Sequence, residues 1–340
     1  MTASHTNPPG VPPAGGLPPA VPSDAAPAAG RSGAGSDGRD ATSAAERPGA
    51  APRRTDAAAG YRPSRTLPIV AEIRRQASRR RTQLALGFMV LLPLIILVAF
   101  EFGGGGDSDD DRNGGGAFSS LVDLATSGGL NFALFGLAVS AGFLLVVVFA
   151  LFAGDTVASE ASWGSLRYLL AIPVPRARLL AVKLVVALGY SFLALVLLAG
   201  TGLLVGTLRY GWHPLGSTIA AQIPPGQGVL RLLGILAYLA VILLVVAGLA
   251  FLLSVLTDAA LGAVGGAVLL WILSSILDQI TALGSIRDAL PTHYSDAWLG
   301  LLSTPVQTED LAKGAISAIV YAVLFWGAAF YRFTRKDITS

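Results

Sequence analysis

The sequence contains no cysteine, only three histidines and two methionines, and its charged residues make up just 13% of the chain. Soluble domains carry about 25% charged residues, so the charge deficit already points away from them. The lack of cysteine excludes a disulfide framework, thiolate chemistry and Cys-ligated metal. Three histidines over the whole chain leave little room for a His-rich metal site. No segment matches G-x-x-x-x-G-K-[ST], so the chain does not hydrolyse nucleotide with a P-loop. The H-E-x-x-H metalloprotease pattern and the G-x-S-x-G nucleophile elbow are also missing. The net charge of +3 is better read as membrane topology than as nucleic-acid binding, because arginines flanking apolar runs set orientation.

Hydrophobic residues are abundant, at 53% of the chain. From Leu84 onward they gather into runs of about 19–25 residues, enough to cross a hydrocarbon core of ~30 Å at ~1.5 Å per helical residue. The predicted fold class is an all-α polytopic membrane protein. Its six spans lie near Leu84–Phe102, Leu130–Phe152, Leu184–Gly206, Leu232–Leu256, Ala259–Leu283 and Ala312–Tyr331. The fourth and fifth form one apolar stretch broken only at Thr257-Asp258. Such a stretch would reach ~75 Å as a single helix, so the chain must turn there.

The domain reading is a disordered cytoplasmic tail over 1–66 and a membrane domain over 67–340. Residues 1–60 contain no Ile, Phe or Trp, and nothing in them resembles the apolar core of a secretory signal. Leu67–Gln83 predicts a basic amphipathic helix. Leu67, Val70, Ile73 and Ala77 recur at helical spacing, while Arg74, Arg75, Arg79, Arg80 and Arg81 are expected to anchor it at the membrane interface. An even number of spans places both termini on one side. On the predicted cytoplasmic side lie Arg62, Arg65, those five arginines, Arg167, Arg176, Arg178, Lys183, Arg332, Arg335 and Lys336. The far side has only Arg112, Arg209, Arg231, Arg287 and Lys313.

The far-side loop Gly103–Gly116 alternates Asp107, Asp109 and Asp111. However, Arg112 and Phe118 occupy the positions where an EF-hand needs Gly and an acid. The loop therefore reads as a solvated linker. Gly284–Asp310 predicts a short interfacial or re-entrant helix, with Trp298 as an interfacial anchor and His293 as a histidine without evident partners. Asp258 and Asp278 are the acids of the fourth and fifth spans. At ~30 Å apart along one helix they cannot act as a protease pair, and they read as helix-end residues. Scarce charge within the spans argues against an ion-coupled carrier. Gly202-x-x-x-Gly206 and Gly262-x-x-x-Gly266 offer close helix packing, internal rather than between subunits.

One polar stretch interrupts the apolar chain, Asp155–Leu184. Ser159–Ser162 carries helix-start residues, Pro173 and Pro175 close the segment, and Arg178 and Lys183 mark the return to lipid. An acid, Glu160, is followed by Gly164-Ser165-Leu166-Arg167-Tyr168-Leu169-Leu170, then Pro173-Val174-Pro175-Arg176, then Leu179-Leu180-Ala181-Val182-Lys183. This order resembles the permease subunits of bacterial type-2 ABC exporters. The likeness extends over 67–340, through the basic helix, the six spans, the L-P-T-H-Y segment and the F-x-R-K-D-I ending. The preference for Arg, with Lys only at Lys183, Lys313 and Lys336, accords with a bacterial source.

The resemblance implies a permease that pairs with a second copy or a homologous permease in the bacterial plasma membrane. It also implies a separate ABC ATPase that binds ATP and Mg, with no cofactor held by this chain. Glu160, Gly164, Arg167, Pro173 and Arg176 would form the ATPase-coupling contact, with Glu160 and Arg167 pairing with each other or with the ATPase. The rival reading is a non-transporting membrane scaffold or assembly factor that docks an ATPase.

Overall fold

The computed structural model describes residues 69–103, 122–162, 175–216 and 222–335. The predicted tail, most of the acidic far-side loop, and Gly164, Arg167 and Pro173 lie outside the described residues. Eight α-helices are central to the site: α1 Ile69–Ala77, α2 Arg80–Gly103, α3 Gly129–Ala141, α4 Leu144–Ser162, α5 Arg176–Tyr210, α6 Pro225–Leu256, α7 Ala260–Asp278 and α8 Glu309–Arg335. Two 3₁₀ segments, Thr281–Ala289 and Ala297–Leu302, join α7 to α8. Six of the helices, α2 and α4 to α8, are long and apolar enough to cross a membrane. The chain is thus a multi-pass helical protein by length and composition.

Helix α4 is at the centre. Leu145, Val146, Phe149, Phe152 and Ala153 are all buried, and the helix packs on α5, α6 and α7. A helix apolar on every side is stable only when protein or lipid surrounds it completely. Helix α2 is the opposite case: it buries little, and Leu84, Phe88, Leu91, Leu94, Ile95 and Val98 face outward. Helices α5 and α6, at 35 and 32 residues, reach ~50 Å and outrun a ~30 Å hydrocarbon layer. The chain turns at Thr257–Ala259 between α6 and α7, where the length of the apolar run requires it.

The predicted second span differs. Instead of one helix over Leu130–Phe152 there are two, α3 and α4, parted at Gly142–Phe143. The residues are apolar on both sides of the break, so composition leaves no mark of it. A side chain at Gly142 would meet no atom within 4 Å, so the break borders open space rather than packed protein. Helix α4 also runs on through Ser162, so Ser159–Ser162 ends the second span and does not begin a new helix. The fifth span stops at Asp278, short of Leu283.

Close packing through glycine holds α3 on α5. A methyl group on Gly206 would lie 2.7 Å from Phe132 Cβ, and one on Gly202 would lie 3.3 Å from Ala133 Cα. This pair therefore packs internally. Gly262 is exposed, and α7 instead buries Ala263, Ala267, Trp271 and Ser274 along one face. At the far end of α5, Gly211 adopts a φ of 81°, a left-handed conformation that glycine takes without a Cβ penalty, and its N–H donates to Thr207 O.

The segment after α7 folds back along α6. Tyr238 Oη donates to Tyr294 O at 2.6 Å, and Arg231 Nη1 donates to Leu301 O and Ser303 O at 2.9 Å each. Residues 294–303 thus lie alongside Arg231–Tyr238, within the fourth span and not beyond its end. Trp298 is buried in this packing, and its indole N–H meets no acceptor among the described residues. That corrects its expected role: a headgroup anchor needs a wet face, and Trp298 has a protein one.

Candidate functional site

The polar stretch that stands out in the sequence becomes a buried ionic cluster where α1, α2, α4 and α5 meet. Helix α1 is polar toward the protein and apolar away from it. Glu72 and Gln76 are buried, while Ile69, Val70 and Ile73 are exposed. Tyr190 Oη of α5 donates to Ile73 O at 2.8 Å and holds the helix against the third span. Water does not favour this orientation, but a lipid environment does, because the exposed apolar face then meets hydrocarbon.

Lys183 is the hub. It is 3% exposed, and its Nζ lies 2.5 Å from Glu160 Oε1 and 3.1 Å from Glu72 Oε1. Arg75 Nη1 reaches the same Glu160 oxygen at 2.8 Å and Glu72 Oε2 at 3.7 Å. A turn earlier on α4, Asp155 is clamped from both sides. Arg79 Nη1 lies 2.8 Å from Oδ2 and Arg81 Nη1 lies 2.8 Å from Oδ1. Arg79 also donates to Ser159 Oγ at 3.3 Å. Ser254 Oγ of α6 accepts from the N–H groups of Val157 and Ala158 at 3.0 and 2.9 Å, so α4 is pinned to the fourth span at the same level. Three carboxylates thus face four cations, and each carboxylate has at least two cationic neighbours. Charged hydrogen bonds of this kind are about twice as strong as neutral ones, and they must offset the cost of desolvating every partner.

The sequence-derived residues divide accordingly. Glu160 is 1% exposed and committed to Arg75 and Lys183, so it acts inside the joint, not on a docking surface. Lys183, expected as a marker of re-entry into lipid, is a buried structural cation. Arg176 sits exposed at the first turn of α5, after Pro175. Of the five expected interface arginines, Arg74 and Arg80 are exposed, while Arg75, Arg79 and Arg81 are engaged by Glu160 and Asp155. Asp155 and Glu72 were missed. Their signal is an acid set in an otherwise basic helix for Glu72 and in an otherwise apolar one, shared with Glu160, for Asp155. Mechanically, the cluster locks the C-terminal end of α4 and the N-terminal part of α5 to each other and to α1.

A second polar group gathers between α6, α7 and the folded-back segment. His293 Nδ1 lies 2.6 Å from Asp278 Oδ1, and Asp288 Oδ1 lies 3.4 Å from its Nε2. Arg287 Nε is 3.6 Å from Asp278 Oδ1, and the Ser274 and Thr292 hydroxyls are 2.7 Å apart. His293 is therefore not solitary, and Asp278 does more than end a helix. Among the described residues, no group of three or more His, Cys, Asp or Glu could hold a metal ion.

No curated protein matches the chain. A family model described as "Protein of unknown function (DUF2705)" matches residues 117–339, a stretch that includes Asp155, Glu160, Lys183, Asp278 and His293 but begins after α1 and α2. Because that match spans more than half of the 340 residues, the chain belongs to the DUF2705 family of proteins of unknown function.

Proposed function

We propose that the chain is the membrane-spanning permease subunit of an ATP-driven exporter of the type-2 ABC kind. It sits in a bacterial plasma membrane with both termini in the cytoplasm and pairs with a second copy or a homologous permease. A separate ATPase subunit, which binds the ATP and Mg, docks on the loop within 155–183. The observation that carries this reading is the ionic joint. Docking can drive transport only if displacement of the loop moves whole spans, and Lys183, Glu160, Glu72 and Arg75 tie the loop's two flanking helices and α1 into one unit. Spans that move as nearly rigid bodies are the usual repertoire of such transitions. On this reading the direct contact falls to Gly164, Arg167, Pro173 and Arg176, while Glu160 acts behind them as a brace.

The test is affinity purification of the tagged full-length chain from its native host, followed by reconstitution. The expected result is a co-purified ATPase bearing a Walker A motif, with ATP-dependent efflux from vesicles. Arg167→Ala should reduce the yield of the complex at least fivefold without loss of membrane insertion. A stable complex that moves no cargo across a broad compound panel would favour the scaffold reading. The absence of any associated ATPase would sink both.

A further inference from the structure

The folded-back segment closes a cavity of about 240 Å³ between the α3–α4 break, α6 and α7. Leu239, Ile242, Leu243 and Trp271 form an apolar wall, and Asp278, Gln279, His293 and Asp296 form a polar one. The three aliphatic residues belong to the apolar run Leu232–Leu256, whereas Asp278 ends α7 at its extremity remote from the α6–α7 turn and Asp296 is exposed in the segment that follows. A concave site that joins an apolar wall to a few convergent polar groups is the usual form of a small-molecule site.

The charges at this cavity do not balance. Asp278 is met by Arg287 and His293, and Asp288 by His293. Asp296, on the open side, has no side-chain hydrogen bond or ion pair among the described residues, and α6 contributes no charge to this wall. Trp271 adds an aromatic ring that is itself 94% buried, since its exposure is only 6%. Negative charge and an indole on two sides of an apolar chamber fit a cation with a hydrophobic body. For scale, a cavity of ~150 Å³ takes benzene, so this one takes an aromatic ring with a short aminoalkyl arm.

We propose that this cavity is a binding site for small amphipathic organic cations, with Asp296 holding the ammonium and Trp271, Leu239 and Leu243 holding the apolar body. The site belongs to a single chain and needs no ATPase, so its test is separate from that of the exporter reading.

The purified full-length chain in lipid nanodiscs is dialysed to equilibrium against radiolabelled 2-phenylethylamine, with empty nanodiscs subtracted. The neutral 2-phenylethanol and the anionic phenylacetate serve as matched probes. The expected result is saturable amine binding, at least tenfold tighter than the alcohol, with phenylacetate excluded. Asp296→Asn should weaken the amine at least tenfold and leave the alcohol unchanged, while Asp296→Glu retains amine binding. Trp271→Leu should weaken both amine and alcohol. Equal affinity for amine and alcohol, preference for phenylacetate, or undiminished amine binding in Asp296→Asn would each overturn the proposal.

Discussion

Lys183 shows how far a single residue can depart from its appearance in a linear sequence. Beside Arg178 and before a long apolar run it looks like a headgroup lysine, because its partners are 23 and 111 positions away. Buried lysines persist only when paired, so Lys183→Met should cost about 3 kcal/mol by leaving the buried Glu160 and Glu72 carboxylates to share the one remaining cation among the described residues, Arg75. The expected readout is a lowered thermal midpoint for the full chain in nanodiscs. The double variant Lys183→Met with Glu160→Gln should recover part of the loss, whereas strictly additive losses would show that the two residues do not share a bond.

Asp296 gives a second prediction at the same scale. Partial desolvation and the Asp278 charge hold its carboxyl above the usual carboxylate range. The folded state therefore binds this proton more tightly than the unfolded chain does. The contribution is full below the ordinary value of ~3.9 and is lost as pH rises through the elevated one. Asp296→Asn should gain stability relative to the native chain as pH increases across that window, as measured by thermal unfolding. A pH-independent difference between the two would remove the group from the account.

At the scale of elements, run length is what composition records well. The six apolar helices and the turn at Thr257 follow from how many residues cross a bilayer, and the segment at Leu290–Leu302 stood out by its aromatics and polar residues. The break at Gly142–Phe143 did not, because both sides of it are equally apolar and the cavity it borders is lined by segments distant in the chain. The Gly202/Gly206 stripe was legible as a close-packing signal. Its partner was not, since any helix satisfies spacing alone. The structure supplies the partner, α3, and a prediction. Gly206→Ala puts a methyl group against Phe132 and should destabilise by about 1–3 kcal/mol. Gly200, exposed on the same helix with nothing within 4 Å of a new Cβ, should tolerate Ala or gain up to about 1 kcal/mol. Equal thermal midpoints for the two variants would contradict the packing described here.

At the scale of the molecule, α4 links the two polar sites. It begins two residues beyond Gly142, at the cavity, and carries Asp155 ~17 Å and Glu160 ~24 Å further along its 19 residues. A helix buried along its length and clamped by Arg79, Arg81 and Lys183 transmits displacement instead of absorbing it. If an ATPase engages the loop that follows Ser162, its nucleotide state and the occupancy of the cavity must then bias the same element. Coupling of that kind is reciprocal and typically amounts to about 1–3 kcal/mol, or 5–150-fold in affinity. A nonhydrolysable ATP analogue should therefore change 2-phenylethylamine affinity of the assembled complex by a measurable factor, and the amine should change analogue affinity by that same factor. Asp155→Asn removes the ion pairs of Arg79 and Arg81 with α4, keeping only the weaker Arg79–Ser159 hydrogen bond, while leaving the cavity residues in place. It should bring the factor toward one, with amine affinity of the ATPase-free chain retained. A factor unchanged in Asp155→Asn would mean that coupling bypasses the Asp155 clamp, and would assign that clamp to stability alone.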